Sequence, residues 1–250
     1  MMPTAIEIEQ VERRFLQILA NPRSVAAYAA LTAAREGKVL DVDIARLLCP
    51  EYAAGKEGHR RWTGATGRPA TEFIKKLYSQ KLKLEPAGPV LFLAGGGGSG
   101  KSTVADNLLA PALVEAEIIW DGTFGNYEAA HMRIQAALKS HREVMLCYVH
   151  RPFEAAVAGV GVRYEKLGRW VPALMLAKDH AGAQDSIARL QADFRDDDRV
   201  EFMAIDNTEV ATQIPMECLA DLRYDTAGEG VEATARRLYP IAKKGLPYDY

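Results

Sequence analysis

The 250-residue sequence predicts an α/β fold, with a parallel sheet covered by helices on both faces and a helical region ahead of it. Three observations predict this. After residue 86, four short apolar runs (PVLFLA, EIIW, VMLCYV and VEFMAI) alternate with helix-length segments. The first run leads directly into a glycine-rich loop. The first 85 residues place their apolar side chains mostly at helical spacing. Short continuous apolar runs suit strands buried on both faces, and strands alternating with helices imply βαβ units.

Taken in order, residues 5–20 place Ile6, Val11, Phe15, Leu16 and Leu19 near one helical face, and Asn21-Pro22 ends that segment. Residues 24–36 are alanine-rich and read as a second helix, with Gly37 as its C-cap. Lys38–Asp43 (KVLDVD) reads as a short strand and Ile44–Tyr52 as a helix cut by Pro50. Residues 55–69, with four glycines, four basic residues and Trp62, read as a mobile loop. Thr71–Leu84 reads as an amphipathic helix. In the remainder, PVLFLA, EIIW at 117–120, VMLCYV at 144–149 and VEFMAI at 200–205 read as strands. Residues 127–140, 152–167, 173–194 and 230–239 read as helices. The expected organisation is a helical region over 1–85, able to lend strand 38–43 to the sheet, and a nucleotide-binding domain over 86–250.

Composition narrows the functional classes. Hydrophobic residues make up 48% and charged residues 26%, the average of a globular chain long enough to bury a core without disulfides or metal. With 31 basic and 33 acidic residues the net charge is −2, which argues against coating nucleic acid through bulk charge. Cys49, Cys147 and Cys218 are odd in number, unclustered and without zinc spacing, as in a reducing compartment. The first residues carry acids and no apolar signal core, and no run of about 18 uncharged apolar residues occurs. These features predict a cytoplasmic protein without a membrane span.

The strongest signal is GGGGSGKS, Gly95 to Ser102, which fits G-x-x-x-x-G-K-[ST] at every required place. A buried strand precedes it and a helix opens at Lys101. A triphosphate needs many donors close to the backbone. Glycines remove side chains from that approach and permit positive φ, and the helix start points free N–H groups at the anion. Gly95, Gly96, Gly97, Gly98, Ser99, Gly100, Lys101, Ser102 and Thr103 are therefore the expected nucleotide contacts. Lys101 would neutralise the β and γ phosphates, and Ser102 would place a hydroxyl on Mg2+.

Other candidates lie at strand ends, where ligands bind parallel sheets. Asp121 closes EIIW, as a Mg2+-side acid or a proton acceptor; an Asp-Gly turn is its plain alternative. Asp206-Asn207 closes VEFMAI, with Asn207 the candidate for a contact to the nucleotide base. Arg163 and Arg169, in GVRYEKLGRWVP, are cations able to arrive with a transferring phosphoryl group, and the glycines around them allow closure as a lid. The histidines are dispersed. Asp179-His180 are neighbours in sequence and so form no dyad on a helix.

These residues carry a family resemblance. The loop GGGGSGKS, the strand IIWDGTF and the stretch CYVHRPFEAAVAGVGVRYEKLGRWVP together resemble the zeta-toxin family of P-loop kinases over residues 71–207. The resemblance implies a P-loop kinase-like sheet, ATP and Mg2+, and phosphorylation of a hydroxyl on a small molecule such as a UDP-N-acetylhexosamine. It also implies an antitoxin protein as partner, and phosphate-directed roles for Arg163 and Arg169. The family's D-x-D-x-x-R motif is missing after the phosphate-loop helix, yet Asp41-Val42-Asp43-Ile44-Ala45-Arg46 matches it upstream, followed by PEYA. A permuted order follows as a hypothesis, with Asp43 the base and Asp41 and Arg46 shaping the acceptor site; the plain alternative makes Asp41 or Asp43 a helix N-cap. Without the permutation, Asp121 inherits the base role.

Two other functions stay open at this stage. One is a polynucleotide or nucleoside kinase, with His59-Arg60-Arg61-Trp62 holding a strand end. The other is a nucleotide-sensing module that acts on a protein partner.

Overall fold

The computed structural model describes residues 3–85, 87–222 and 230–242. Contacts divide the chain into two units, Met1–Leu84 with Arg163–Trp170, and Glu85–Val162 with Val171–Tyr250.

In the first unit, α1 (Ala5–Ala20) starts at a capping box: Thr4 Oγ1 accepts from Glu7 N–H at 3.3 Å, and Glu7 Oε2 accepts from Thr4 N–H at 2.8 Å. Val11, Phe15 and Leu19 are buried, whereas Ile6 and Leu16 face solvent. Helix α2 (Arg23–Ala29) is shorter than the alanine content predicts. The chain leaves it through a 3-10 turn at Thr32–Ala34 and three successive positive-φ residues, Arg35, Glu36 and Gly37. Strand β1 is only Val39–Leu40, because Asp41 already caps α3 (Val42–Arg46), its Oδ1 accepting from Asp43 N–H at 2.6 Å. Pro50 opens α4 (Pro50–Ala53).

Residues 55–69 are not a loop. They form the first half of α5 (Lys56–Lys81), which runs on through Pro69. The glycines that suggested a loop serve tertiary packing. A Cβ on Gly58 would lie 2.5 Å from the Glu51 carbonyl oxygen, and one on Gly67 would lie 3.1 Å from the Arg46 guanidinium. The arginines are matched by acids: Arg61 pairs with Glu7 at 2.5 Å, Arg68 with Glu12 at 2.7 Å and Arg60 with Glu57 at 2.7 Å. Such half-exposed pairs contribute at most about 1 kcal/mol each. The larger stabilisation comes from burying Phe73, Ile74, Leu77 and Tyr78, with the Tyr28 and Phe73 rings meeting edge-on at 5.7 Å. Helix propensity is a weak preference that such packing overrides. With its cations engaged by α1 and α5 acids, His59-Arg60-Arg61-Trp62 is no longer an open basic face.

In the second unit, β2 (Val90–Ala94), β3 (Ile118–Asp121), β4 (Val144–His150) and β5 (Val200–Asp206) are parallel in the order β3-β2-β4-β5. Strand β6 (Thr212–Ile214), which the sequence pattern does not reveal, runs antiparallel beside β5. Every residue of β2 is buried, so both faces of the sheet are covered, as its unbroken apolar run requires. Helices α6 (Lys101–Leu108), α7 (Ala110–Glu115), α8 (Tyr127–Lys139), α9 (Phe153–Leu167), α10 (Ala173–Phe194) and α11 (Gly230–Ala242) complete the element order, the last turn of α9 counting with the first unit. Register pairs Leu93 with Asp121, Ala94 with Tyr148 and His150 with Asp206, which aligns the carboxyl ends of four strands on one edge. No helix among the described residues is long and apolar enough to cross a membrane.

Gly58 is the tightest point of the α4–α5 packing. Gly58→Ala should lower unfolding stability by about 1–3 kcal/mol in urea titrations, as overpacking does, whereas Gly64→Ala, with open space around its Cβ, should not destabilise.

Candidate functional site

The loop after β2, where the sequence predicts phosphate contacts, has glycine at every point where the backbone demands it. Gly95, Gly98 and Gly100 have φ of 139°, 81° and 88°, which side-chain-bearing residues rarely adopt. Gly96, Gly98 and Gly100 are also places of close approach. A Cβ would lie 2.2 Å from the His180 ring at Gly96, 2.3 Å from the Ala156 carbonyl oxygen at Gly98 and 2.5 Å from the Asn207 amide at Gly100. Lys101 opens α6, and Ser102 and Thr103 lie exposed on its first turn. Lys101 Nζ donates to the Gly95 carbonyl at 2.8 Å and stands 3.7 Å from Asp121 Oδ1. Thus Lys101 and Asp121, nominated separately from sequence, meet at the carboxyl edge of the sheet.

Three residues at this edge were not nominated from sequence. Arg151, just past β4, donates through Nη1 to the Gly98 carbonyl at 3.2 Å. His180, buried on α10, donates through Nε2 to the Gly97 carbonyl at 2.8 Å. Burial pushes its pKa down to about 4, so the ring is neutral at pH 7 with its proton on Nε2. Asp179 lies against Gly125 and is pushed up to about 6 by burial, opposed by the positive charge of Lys101. The rule against sequence neighbours forming a dyad is met, because Asp179 and His180 touch different segments. Asn207 donates its amide to the Ser99 carbonyl at 2.8 Å. His150 ends β4 with a pKa lowered by burial, Asp206 opposing the shift, and its Nδ1 lies 3.4 Å from Gln184 Nε2.

The donor set fits a nucleotide triphosphate with Mg2+. The glycine loop leaves backbone room for an anion, the helix start and Lys101 supply positive charge, and the buried Ser99 hydroxyl has no hydrogen-bond partner among the described residues. Ser102 and Asp121 are the oxygen ligands suited to a hard divalent ion. Among the described residues, no three His, Cys, Asp or Glu side chains converge as a metal cage. Mg2+ held through phosphates and one or two protein oxygens needs no such cage.

The first unit gathers the other nominated residues. Asp43 Oδ2 accepts from Arg163 Nη2 at 3.0 Å and pairs with Arg169 Nη2, and Asp43 Oδ1 lies 3.3 Å from Arg46 Nη1. Three guanidiniums therefore converge on one carboxylate. Asp41 caps α3, and its charge favours the charged form of Arg169, whose pKa is lowered by burial. The Arg169 segment is fixed to α5. Trp170 Nε1 donates to the Arg60 carbonyl at 3.0 Å, His59 Nδ1 meets the Leu167 carbonyl at 2.6 Å, and Gly168 takes φ of 77° in a site with no room for a Cβ. Asp41 thus caps α3, as the N-cap reading expects, and Asp43 two residues on collects the arginines.

Comparison with known proteins gives a family match over the middle of the chain. Residues 114–214 match the family described as Zeta toxin, so the chain is similar to zeta toxins over β3 to β6. No curated protein sequence matches the chain. Among solved structures, the AvrRxo1-ORF1:AvrRxo1-ORF2 complex with sulphate ions is similar at 13% identity and a TM-score of 0.48, covering 68% of this chain and 80% of that one. The same complex with ATP gives the same values. A structure of the PezAT chromosomal toxin-antitoxin system of Streptococcus pneumoniae is similar at 10% identity and a TM-score of 0.43, covering 97% of this chain and 98% of that one. These are loose likenesses and bear on neither activity nor partner.

The raised pKa of Asp179 has a stability consequence. Its folded value of about 6 lies above the ordinary 3.8, so the folded state holds this proton more tightly and loses that stabilisation as pH rises from about 4 through 6. Asp179→Asn should remove this loss, and urea titrations at pH 4 and 7 should show the variant gaining about 1–3 kcal/mol relative to wild type across that interval.

Proposed function

We propose that this chain is an ATP- and Mg2+-dependent phosphotransferase that phosphorylates a hydroxyl of a small molecule, in the manner of a zeta-toxin kinase. The observation that carries this reading is the phosphate cradle, in which Gly95–Gly100 leave the backbone open and Lys101 stands beside Asp121. The family match over residues 114–214 supports the same reaction class. A UDP-N-acetylhexosamine is the acceptor the resemblance favours, and an antitoxin protein is the partner it favours.

The residues divide the chemistry. The loop amides and Lys101 hold the phosphates, and Lys101 offsets charge on the β and γ groups. Ser102 and Asp121 would hold Mg2+, which would supply positive charge against the phosphates. Asp43 orients the acceptor hydroxyl and takes its proton. Arg163 and Arg169 spread the negative charge of the transferring group, and Asp41 and Arg46 shape the acceptor site. A base must be free to accept a proton, whereas Asp43 is held by three guanidiniums. A phosphoryl group competes for those same donors, so its arrival would release the carboxylate when the base is needed. In this reading the D-x-D-x-x-R segment has moved ahead of the phosphate loop in the chain while keeping its role.

The test is transfer of radiolabelled γ-phosphate from Mg-ATP to a panel of UDP-sugars, nucleosides and oligonucleotides. Label should appear on a small-molecule hydroxyl. Asp43→Asn should lower transfer by about a hundredfold or more while ATP binding persists, and Lys101→Ala should lose both. Full turnover by Asp43→Asn would move the base role to Asp121; label on an oligonucleotide would make the chain a polynucleotide kinase.

A further inference from the structure

The phosphate loop is held from outside by side chains of three separate elements that lie beyond the G-x-x-x-x-G-K-[ST] motif itself. The Gly97 carbonyl accepts from His180 of α10, the Gly98 carbonyl from Arg151 after β4, and the Ser99 carbonyl from Asn207 after β5, at 2.8, 3.2 and 2.8 Å. We infer that His180, Arg151 and Asn207 form a clamp on these three consecutive carbonyls, and that they are positioning residues for nucleotide binding.

The physical reason lies in the peptide unit. A peptide carbonyl and the N–H of the following residue point in opposite directions across one plane. Fixing the carbonyls of Gly97, Gly98 and Ser99 therefore fixes the N–H groups of Gly98, Ser99 and Gly100. Among them the Gly98 and Gly100 N–H groups are donors of the kind a phosphate requires, whereas the Ser99 N–H donates to the Gly96 carbonyl at 3.2 Å and closes the loop on itself. A run of glycines does not fix them by itself, since glycine has the largest backbone freedom of any residue. A loop with five glycines is thus open to an anion but costly to order on binding, unless something outside the loop orders it in advance. The clamp meets that need and explains the composition of the loop. The G-x-x-x-x-G-K-[ST] pattern asks for glycine only at Gly95 and Gly100. Gly96 is required because the His180 ring occupies its Cβ position, and Gly98 because α9 does.

The three donors suit the task. His180 is buried and neutral with Nε2 protonated, so it donates across the physiological pH range. Arg151 brings a permanent charge beneath the loop, adding to the potential that attracts phosphate. Asn207 touches the underside of Gly100 as well as the Ser99 carbonyl, so it supports the loop on two consecutive residues. This assigns Asn207 to the phosphate loop, in place of the contact to a nucleotide base that its strand-end position suggests.

The inference rests on the nucleotide-binding half of the proposed function and not on transfer. Arg151→Met, His180→Phe and Asn207→Leu remove each donor at similar volume, and Arg151→Lys and His180→Gln retain one. Binding of Mg-ATP and of Mg-tripolyphosphate, which has no base, is measured by calorimetry, alongside amide hydrogen exchange over residues 96–101. Each donor-free variant should bind both ligands about tenfold more weakly, the loss expected for one hydrogen bond to a charged or strongly oriented partner. Its loop amides should exchange faster, and the donor-retaining variants should recover to within about threefold of wild type. In turnover assays, these substitutions should raise KM for ATP relative to wild type, with kcat changed less. Unchanged affinity in all three donor-free variants would overturn the clamp. A loss for Mg-ATP but not for tripolyphosphate in Asn207→Leu would return Asn207 to the base. Wild type that binds both ligands yet transfers no phosphate would refute the kinase reading and leave the clamp standing; wild type that binds neither would refute both.

Discussion

The constraint on which the second unit depends is the approach of α9 and α10 to a bare backbone. The His180 ring lies where a Gly96 side chain would be, and the Ala156 carbonyl lies where a Gly98 side chain would be. Helices can cover the carboxyl edge of the sheet this closely only over glycine. In return His180 of α10, with Arg151 after β4 and Asn207 after β5, donates to the loop, and the loop gains an order that its composition lacks. The same contacts draw α10 over Gly125, where a Cβ on Gly182 would lie 2.2 Å from the Gly125 carbonyl oxygen. Packing of these helices and the order of the loop are here one arrangement seen from two sides.

The first unit is organised around charge. Asp43 gathers Arg46, Arg163 and Arg169, residues from α3, the end of α9 and the turn after it. Three cations around one partly buried carboxylate repel one another, and they stay together because α5 fixes the segment through Trp170, His59 and Gly168. A cluster with more positive than negative charge, held ready by neutral hydrogen bonds, is suited to exchange its carboxylate for another anion. The ion pairs between α1 and α5 are of a different kind. They are exposed, individually weak, and serve mainly to match the surfaces of two helices.

Much of the sheet was legible in the chain. Runs such as VLFLA are buried on every residue, and continuous hydrophobicity reports that directly. Helices α1, α8 and α10 kept the predicted limits closely, because their apolar periodicity is strong and their ends carry capping signals, Thr4 and Asn126 among them. The segment 55–69 was misread because four glycines and a proline outweighed the evidence of the α1 acids, whose relation to Arg61 and Arg68 spans more than fifty residues. Strand β6 escaped because three half-polar residues carry no period. Arg151 and His180 escaped for a similar reason. A residue that donates to a distant carbonyl leaves no local pattern.

The sequence by itself determined where the glycine loop and its helix start lie and which strands lead to that place, since glycine freedom, helix starts and apolar runs are short-range properties. Only the tertiary structure decided which carbonyls of the loop are tied down, which carboxylate collects the arginines, and that 55–69 is helix. Each of those depends on partners far apart in the chain, and their meeting is set by packing and not by neighbours in sequence.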